Sequence, residues 1–245
     1  MLSLVTLKTN KWAPRVALLV IATGLIMAAV PGWCADEWPA QVAVAGFTVN
    51  GIRPESANSA KGMLQIPGAG GKEISLTRSS RDDIAGSGSI SARVSGIDVQ
   101  GSFKLDNNGL KCRGGVVKTN PKPITDADFT IGNRGELSGR GSIELGSNRI
   151  STDFSASGSS IRVTGSTSAR ASADTQLAKY SFEGNLELQG GSGGSVAVNA
   201  QGRVERRGKL AEQVTTYNVS SVQVNPSNGN GTANIDGVNV TFDFF

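Results

Sequence analysis

The chain has 245 residues, including 32 glycines and no histidine, and only 5% of it is aromatic. That length suits one large β-domain or two small ones, with a core of aliphatic side chains rather than rings. The 24 basic residues exceed the 20 acidic ones, but without Lys8, Lys11 and Arg15 they fall to 21, which is no nucleic-acid footprint.

Residues 1–35 read as an export signal. Lys8, Lys11 and Arg15 form a positive region, residues 16–30 are uncharged and mostly apolar, and Pro31 and Gly32 break the run. Small residues follow at Cys34 and Ala35. An apolar run of ~15 residues is short for a spanning helix, which needs about 17 to 25. The segment stays uncharged to Ala35, so an N-terminal membrane anchor is the alternative. Cys34 suggests a lipoprotein, against which stands the bulky Trp33 before it. Either way the chain is exported, to the periplasm and cell envelope or to the exterior. Cys112 is the cysteine certain to survive processing, so no disulfide framework supports the fold.

Residues 36–245 form one Gly/Ser-rich domain. Strand signals repeat through it, and helix signals are nearly absent. Large apolar residues alternate in Ile97, Val99, Gly101, Phe103 and Leu105, and in Leu137, Gly139, Gly141, Ile143 and Leu145. They alternate again in Tyr180, Phe182, Gly184, Leu186 and Leu188, and in Val238, Val240, Phe242 and Phe244. A period of two gives each strand one dry face and one wet face. Short breaks such as Asn107-Asn108-Gly109, Asn133-Arg134-Gly135, Gly146-Ser147-Asn148 and Gly158-Ser159-Ser160 supply the positive φ of tight hairpins. Such connections join antiparallel neighbours. The expectation is an all-β, glycine-rich antiparallel meander of about fourteen strands, each roughly eight to twelve residues long. Residues 173–179 are expected to form a loop.

Several strands place a glycine on the apolar face. The pattern appears as Val99-Gln100-Gly101-Ser102-Phe103, as Gly139-Arg140-Gly141-Ser142-Ile143 and as Phe182-Glu183-Gly184-Asn185-Leu186. A row of such glycines lets a sheet bend sharply or leaves a trough. The fold is therefore a curled sheet that is either an elongated groove or a sandwich. Phe103, Leu105, Leu137, Ile143, Leu145, Phe154, Ile161, Val163, Phe182, Leu186 and Leu188 are expected on one continuous apolar surface, as core or as a lipid-facing lining.

Reaction chemistry is thin. Without histidine the commonest general base and zinc ligand are gone. No Cys cluster replaces it, so neither metal nor cofactor is expected. Gly190-Gly191-Ser192-Gly193-Gly194 matches a nucleophile elbow by letter, but a strand pattern follows where the motif needs a helix. It reads as a turn. Arg81-Asp82-Asp83 reads as a solvated turn, and residues 225–231 resemble a calcium loop without the acidic ligands. Arg203, Arg206, Arg207 and Lys209 gather around Gly208 as a charged hairpin tip, or as a contact for anionic lipid head groups. No enzyme is expected.

The glycine-punctuated alternation between about Ile84 and Gly190 resembles the AsmA-like and TamB-type envelope proteins of bacteria. The strands V-Q-G-S-F, S-G-R-G-S-I and F-E-G-N-L carry the resemblance, which covers about half of the exported part. It implies a curled antiparallel sheet whose apolar trough guides lipid acyl chains, held near a membrane by an N-terminal anchor. The function expected is thus a non-enzymatic exported envelope protein that binds or guides lipid along a β-groove, with a lipid or a membrane surface as partner. The alternative is an extracellular structural or adhesive β-protein that self-associates through strand edges. An outer-membrane β-barrel is a third reading, to which the few mature aromatics are unfavourable.

Overall fold

The computed structural model describes residues 37–80, 82–211 and 213–245. The export or anchor segment expected over residues 1–35 lies outside them. Residues Trp38 to Phe245 form one compact unit.

Sixteen strands follow one another in chain order. They are β1 Gln41–Val44, β2 Phe47–Pro54, β3 Ser59–Ile66, β4 Gly70–Ser80, β5 Asp83–Val94 and β6 Ile97–Asp106. Then come β7 Gly109–Val117, β8 Ile124–Ile131, β9 Leu137–Leu145, β10 Asn148–Ser157 and β11 Ser160–Asp174. The last five are β12 Ala178–Gly190, β13 Val196–Gly208, β14 Val214–Val224, β15 Asn230–Ile235 and β16 Val238–Asp243. All belong to a single sheet in sequence order, and every neighbouring pair is antiparallel. The described residues contain no helix. The strand count exceeds the expected fourteen by two, and β1 and β15 are only four and six residues long, below the expected eight to twelve. The turns expected at Asn108, Arg134, Ser147 and Ser159 all separate strands, and residues 175–177 turn between β11 and β12.

The sheet curls into a half-barrel. Its hairpin turns alternate between two long edges of the ribbon, and the curl brings these edges together. On one edge lie the β1–β2, β3–β4, β5–β6 and β7–β8 turns; on the other lie β8–β9, β10–β11 and β12–β13. Ser95, between β5 and β6, donates its hydroxyl to the Gly135 carbonyl between β8 and β9. Asn120, between β7 and β8, donates its backbone N–H to Gly194 O at 2.9 Å and accepts from Val196 N–H at 2.8 Å. Farther along, Asn148 at the start of β10 donates its side-chain amide to Phe244 O at 3.1 Å. The ribbon thus meets itself several strands later along a seam of turns.

Glycine makes the curl possible at its creases. Gly184 on β12 faces Gly202 on β13 in register. A Cβ on Gly184 would strike the Gln201 carbonyl and sit 2.6 Å from Gly202 Cα. The same collision with a neighbouring strand's carbonyl recurs at Gly88, Gly115, Gly165 and Gly190. At these points the strands lie closer than any side chain permits. Replacing Gly184 with Ala should therefore destabilise by about 1–3 kcal/mol, the usual cost of overpacking. Gly208→Ala, where an added Cβ meets nothing within 4 Å, should be close to neutral. Urea midpoints of the two variants against the wild type check this.

Candidate functional site

The eleven apolar residues picked from the alternating rows all lie inside one core cluster. Phe103, Phe154, Ile161, Val163, Phe182 and Leu188 are buried, as are Leu105, Leu137, Ile143, Leu145 and Leu186, which are at most 1% exposed. Between a groove and a sandwich, the structure closes the apolar face on itself. A lining open to solvent would leave these side chains accessible, and they are not. The residues come together because the rows share the inner face. Phe154 pairs across to Val163 and Gly139, while Leu186 pairs across to Thr167 and Ala200.

The C-terminal hairpin completes the closure. Phe244 meets Phe182 edge-on with ring centroids 5.0 Å apart, and Phe242 lies 6.1 Å from the same ring. This geometry uses the positive ring edge against the negative face. Val238 departs from the expected row and is 44% exposed at the start of β16. Trp38, Val42, Val49, Leu64, Ile74 and Val204 join the same core, although the sequence reading did not single them out. Their signal was the same period of two, in shorter runs such as Leu64 and Ile66 of β3.

The outer face is polar, and cross-strand ion pairs lace it. Arg93 and Asp98 pair at 2.9 Å, Arg140 and Asp153 at 3.0 Å, and Arg170 and Glu183 at 2.8 Å. The Arg93 hydrogen bond holds the Asp98 carboxyl below its ordinary value, and Arg170 does the same for Glu183. Such exposed pairs add little stability. A shallow groove of about 410 Å³ on this face is lined by Asp126, Asp128, Arg140, Arg149 and Asp153 among others. Its two arginines are each paired with an acid, Arg140 with Asp153 and Arg149 with Asp126, and Asp128 accepts the Gly114 N–H at 3.0 Å. Among the described residues no group of three metal-ligating side chains occurs. The Gly190–Gly194 stretch forms the connection between β12 and β13, where Gly193 N–H bonds Ser159 O at 2.8 Å. Asp83 accepts a hydrogen bond from Ser79, and residues 225–229 form the β14–β15 turn.

Cys112 sits on the inner face of β7, and burial pushes its thiol up from 9.0 to about 11. The folded state holds this proton to higher pH than the unfolded chain does. The stability it contributes is complete below pH ~9 and falls as pH rises from about 9 to 11. Alkylation of Cys112, followed by peptide mass, should stay slow in the folded protein at pH 8 and become fast in denaturant.

Two surface features stand apart from the closed body. One is β14, which pairs with its C-terminal neighbour β15 at a single position, Val224 opposite Gly231. From Val214 to Gln223 the strand pairs with β13 alone, and its other edge is open. The second is the end formed by the β11–β12 and β13–β14 turns, tied together by Lys209 N–H on Leu177 O at 3.0 Å. Of the four basic residues the sequence gathers at a charged hairpin tip, Arg207 and Lys209 are exposed at this end, while Arg203 lies farther down β13 opposite Glu183 and Arg206 is on the inner face opposite Tyr180. β1 and β16 do not pair, so the sheet is not a hydrogen-bonded closed barrel.

No family model, curated protein or solved structure matches the chain.

The packed state of the inner face has a direct consequence. Ile143→Ala should cost about 2–5 kcal/mol, as truncation of a buried aliphatic side chain does. Thermal or urea unfolding of the variant measures it; a cost under about 1 kcal/mol would match an open lining instead.

Proposed function

We propose that the protein is a non-enzymatic, exported structural β-protein of the cell envelope or exterior, in which copies join through the open edge of β14. Export rests on the N-terminal charge and hydropathy pattern. The open edge of β14 is the observation that carries the assembly reading.

An unpaired strand edge offers a row of free N–H and C=O groups to another strand. Monomeric proteins blunt such edges with short strands, lysine, proline or bulges. The two terminal strands here are short, with four residues in β1 and six in β16. β14 has eleven residues, reads VTTYNVSSVQV, contains neither a charge nor a proline, and is bulged only at Ser220 and Ser221, leaving Val214 to Val219 in regular register with β13. Val214, Thr216, Asn218 and Ser220 are exposed, and Thr215, Tyr217 and Val219 are only half-buried. Two copies of this segment can pair antiparallel about a two-fold axis, which closes the interface without leaving a new free edge.

The packed inner face supports this over acyl-chain guidance. A groove needs apolar side chains that a lipid can reach, and Ile143 and Leu186 have surrendered theirs to the core. The outward face, rich in Ser, Thr, Asn and paired charges, suits contact with water and polar surfaces.

Sedimentation and native mass spectrometry of full-length protein over a range of concentrations test the reading. The wild type should form dimers free of stoichiometric lipid, and Thr216→Lys and Asn218→Lys should weaken them at least tenfold. Monomers at all concentrations, or one bound lipid per chain, would contradict it.

A further inference from the structure

The end of the sheet formed by the β11–β12 and β13–β14 turns carries a feature that the assembly reading neither uses nor needs. Five large apolar residues are exposed among the described residues: Met63, Leu177, Leu210, Val214 and Val238. Three of them sit at this one end. Leu177 is 66% exposed in the first turn, Leu210 is 93% exposed in the second, and Val214 is 50% exposed at the start of β14. The bond between Lys209 and Leu177 holds the two turns side by side.

Directly beneath them runs a row of exposed residues in register across four strands. Asp174 faces Lys179, Lys179 faces Arg207, and Arg207 faces Val214. Two cations directly opposite each other on paired strands repel. Asp174, the acid in the row, is engaged by Lys209. Among the described residues neither Lys179 nor Arg207 takes part in an ion pair. Lys104 and Lys111 face each other in the same way across β6 and β7, but here the two cations lie beside three protruding aliphatics.

We infer that this end docks on a lipid bilayer containing anionic head groups, with Leu177, Leu210 and Val214 entering the head-group boundary and Lys179 and Arg207 at the level of the phosphates. The two halves of the patch ask for different things from one partner. Exposed aliphatics gain by leaving water for the acyl boundary. Cations at the same depth gain from a negative surface potential. A nucleic acid or an acidic peptide satisfies the cations but leaves Leu210 in water, whereas an anionic bilayer satisfies both. On the inner face beneath the patch, Arg206 pairs across to Tyr180, and the phenols of Tyr180 and Tyr217 raise the pKa of its guanidinium.

Hydrogen exchange of the full-length protein, read by peptide mass, tests this locally and without interference from binding elsewhere on the chain. With vesicles of phosphatidylglycerol and phosphatidylcholine, amides over residues 175–179 and 207–211 should slow at least fivefold. Vesicles of phosphatidylcholine alone should leave them unchanged. A Lys179→Glu/Arg207→Glu double variant and a separate Leu210→Ser variant should each lose the slowing, while exchange in β9 and β10 stays that of the wild type. No slowing on anionic vesicles, equal slowing on neutral ones, or full slowing retained in both variants would overturn the proposal. Slowing that grows with protein concentration in the absence of vesicles would also overturn it, and would assign the end to a second copy.

Discussion

A single sheet with one apolar face has nothing to pack against but itself. Every other feature of this molecule follows from that constraint. The described residues supply no helix and no second sheet, so the ribbon must curl until its own inner face meets itself. Burying one aliphatic side chain contributes about 1.5–3 kcal/mol, and dozens of residues do so here. The curl is opposed by the bulk of ordinary side chains where strands crowd. Glycine at Gly88, Gly165, Gly184 and Gly202 removes that opposition at the creases, where a Cβ would meet a neighbour's carbonyl. Aromatic rings cover some of the space the glycines leave: Phe103 pairs with Gly88, and Phe154 pairs with Gly139.

Curling also determines what is left for the outside. Hydrogen bonds between turns, such as those of Asn120 with Gly194 and Val196, join one edge to the other. The seam stops short of the β11–β12 and β13–β14 turns, and the last hairpin departs from β14 after Val224. These two departures create the open strand edge and the exposed apolar tip. Both lie on β11 to β14, the first three of which are the longest strands of the sheet. What the closure leaves unused is what remains for function, since the apolar rows themselves serve stability.

Much of the architecture was legible in the sequence. Period-two rows such as Ile97 to Leu105 identified β6 and its dry face, and Asn-Gly breaks marked the hairpins. All eleven residues picked for the inner face share it, because a period of two leaves no ambiguity about which side a residue occupies. What the rows could not say was whether that surface faces itself or solvent. That depends on contacts between turns far apart in the chain, such as Ser95 with Gly135, and these have no local signature. The short strands β1 and β15 were harder to count, since four or six residues alternate too briefly to separate from a loop. The open edge of β14 was invisible for a related reason. Its sequence is that of any good strand, and only the early departure of β15 leaves it unpaired.

The ribbon closes on itself along the seam of turns. Amide exchange resolved by NMR at Asn120 and Val196 measures that closure. Their N–H groups bond across the seam, at 2.9 Å from Asn120 to Gly194 O and 2.8 Å from Val196 to Asn120 O. A closed seam predicts that these turn amides exchange as slowly as those in the middle of β9 and β10. Exchange at the rate of a free peptide in the folded protein would mean that the edges do not meet and that the inner face is open.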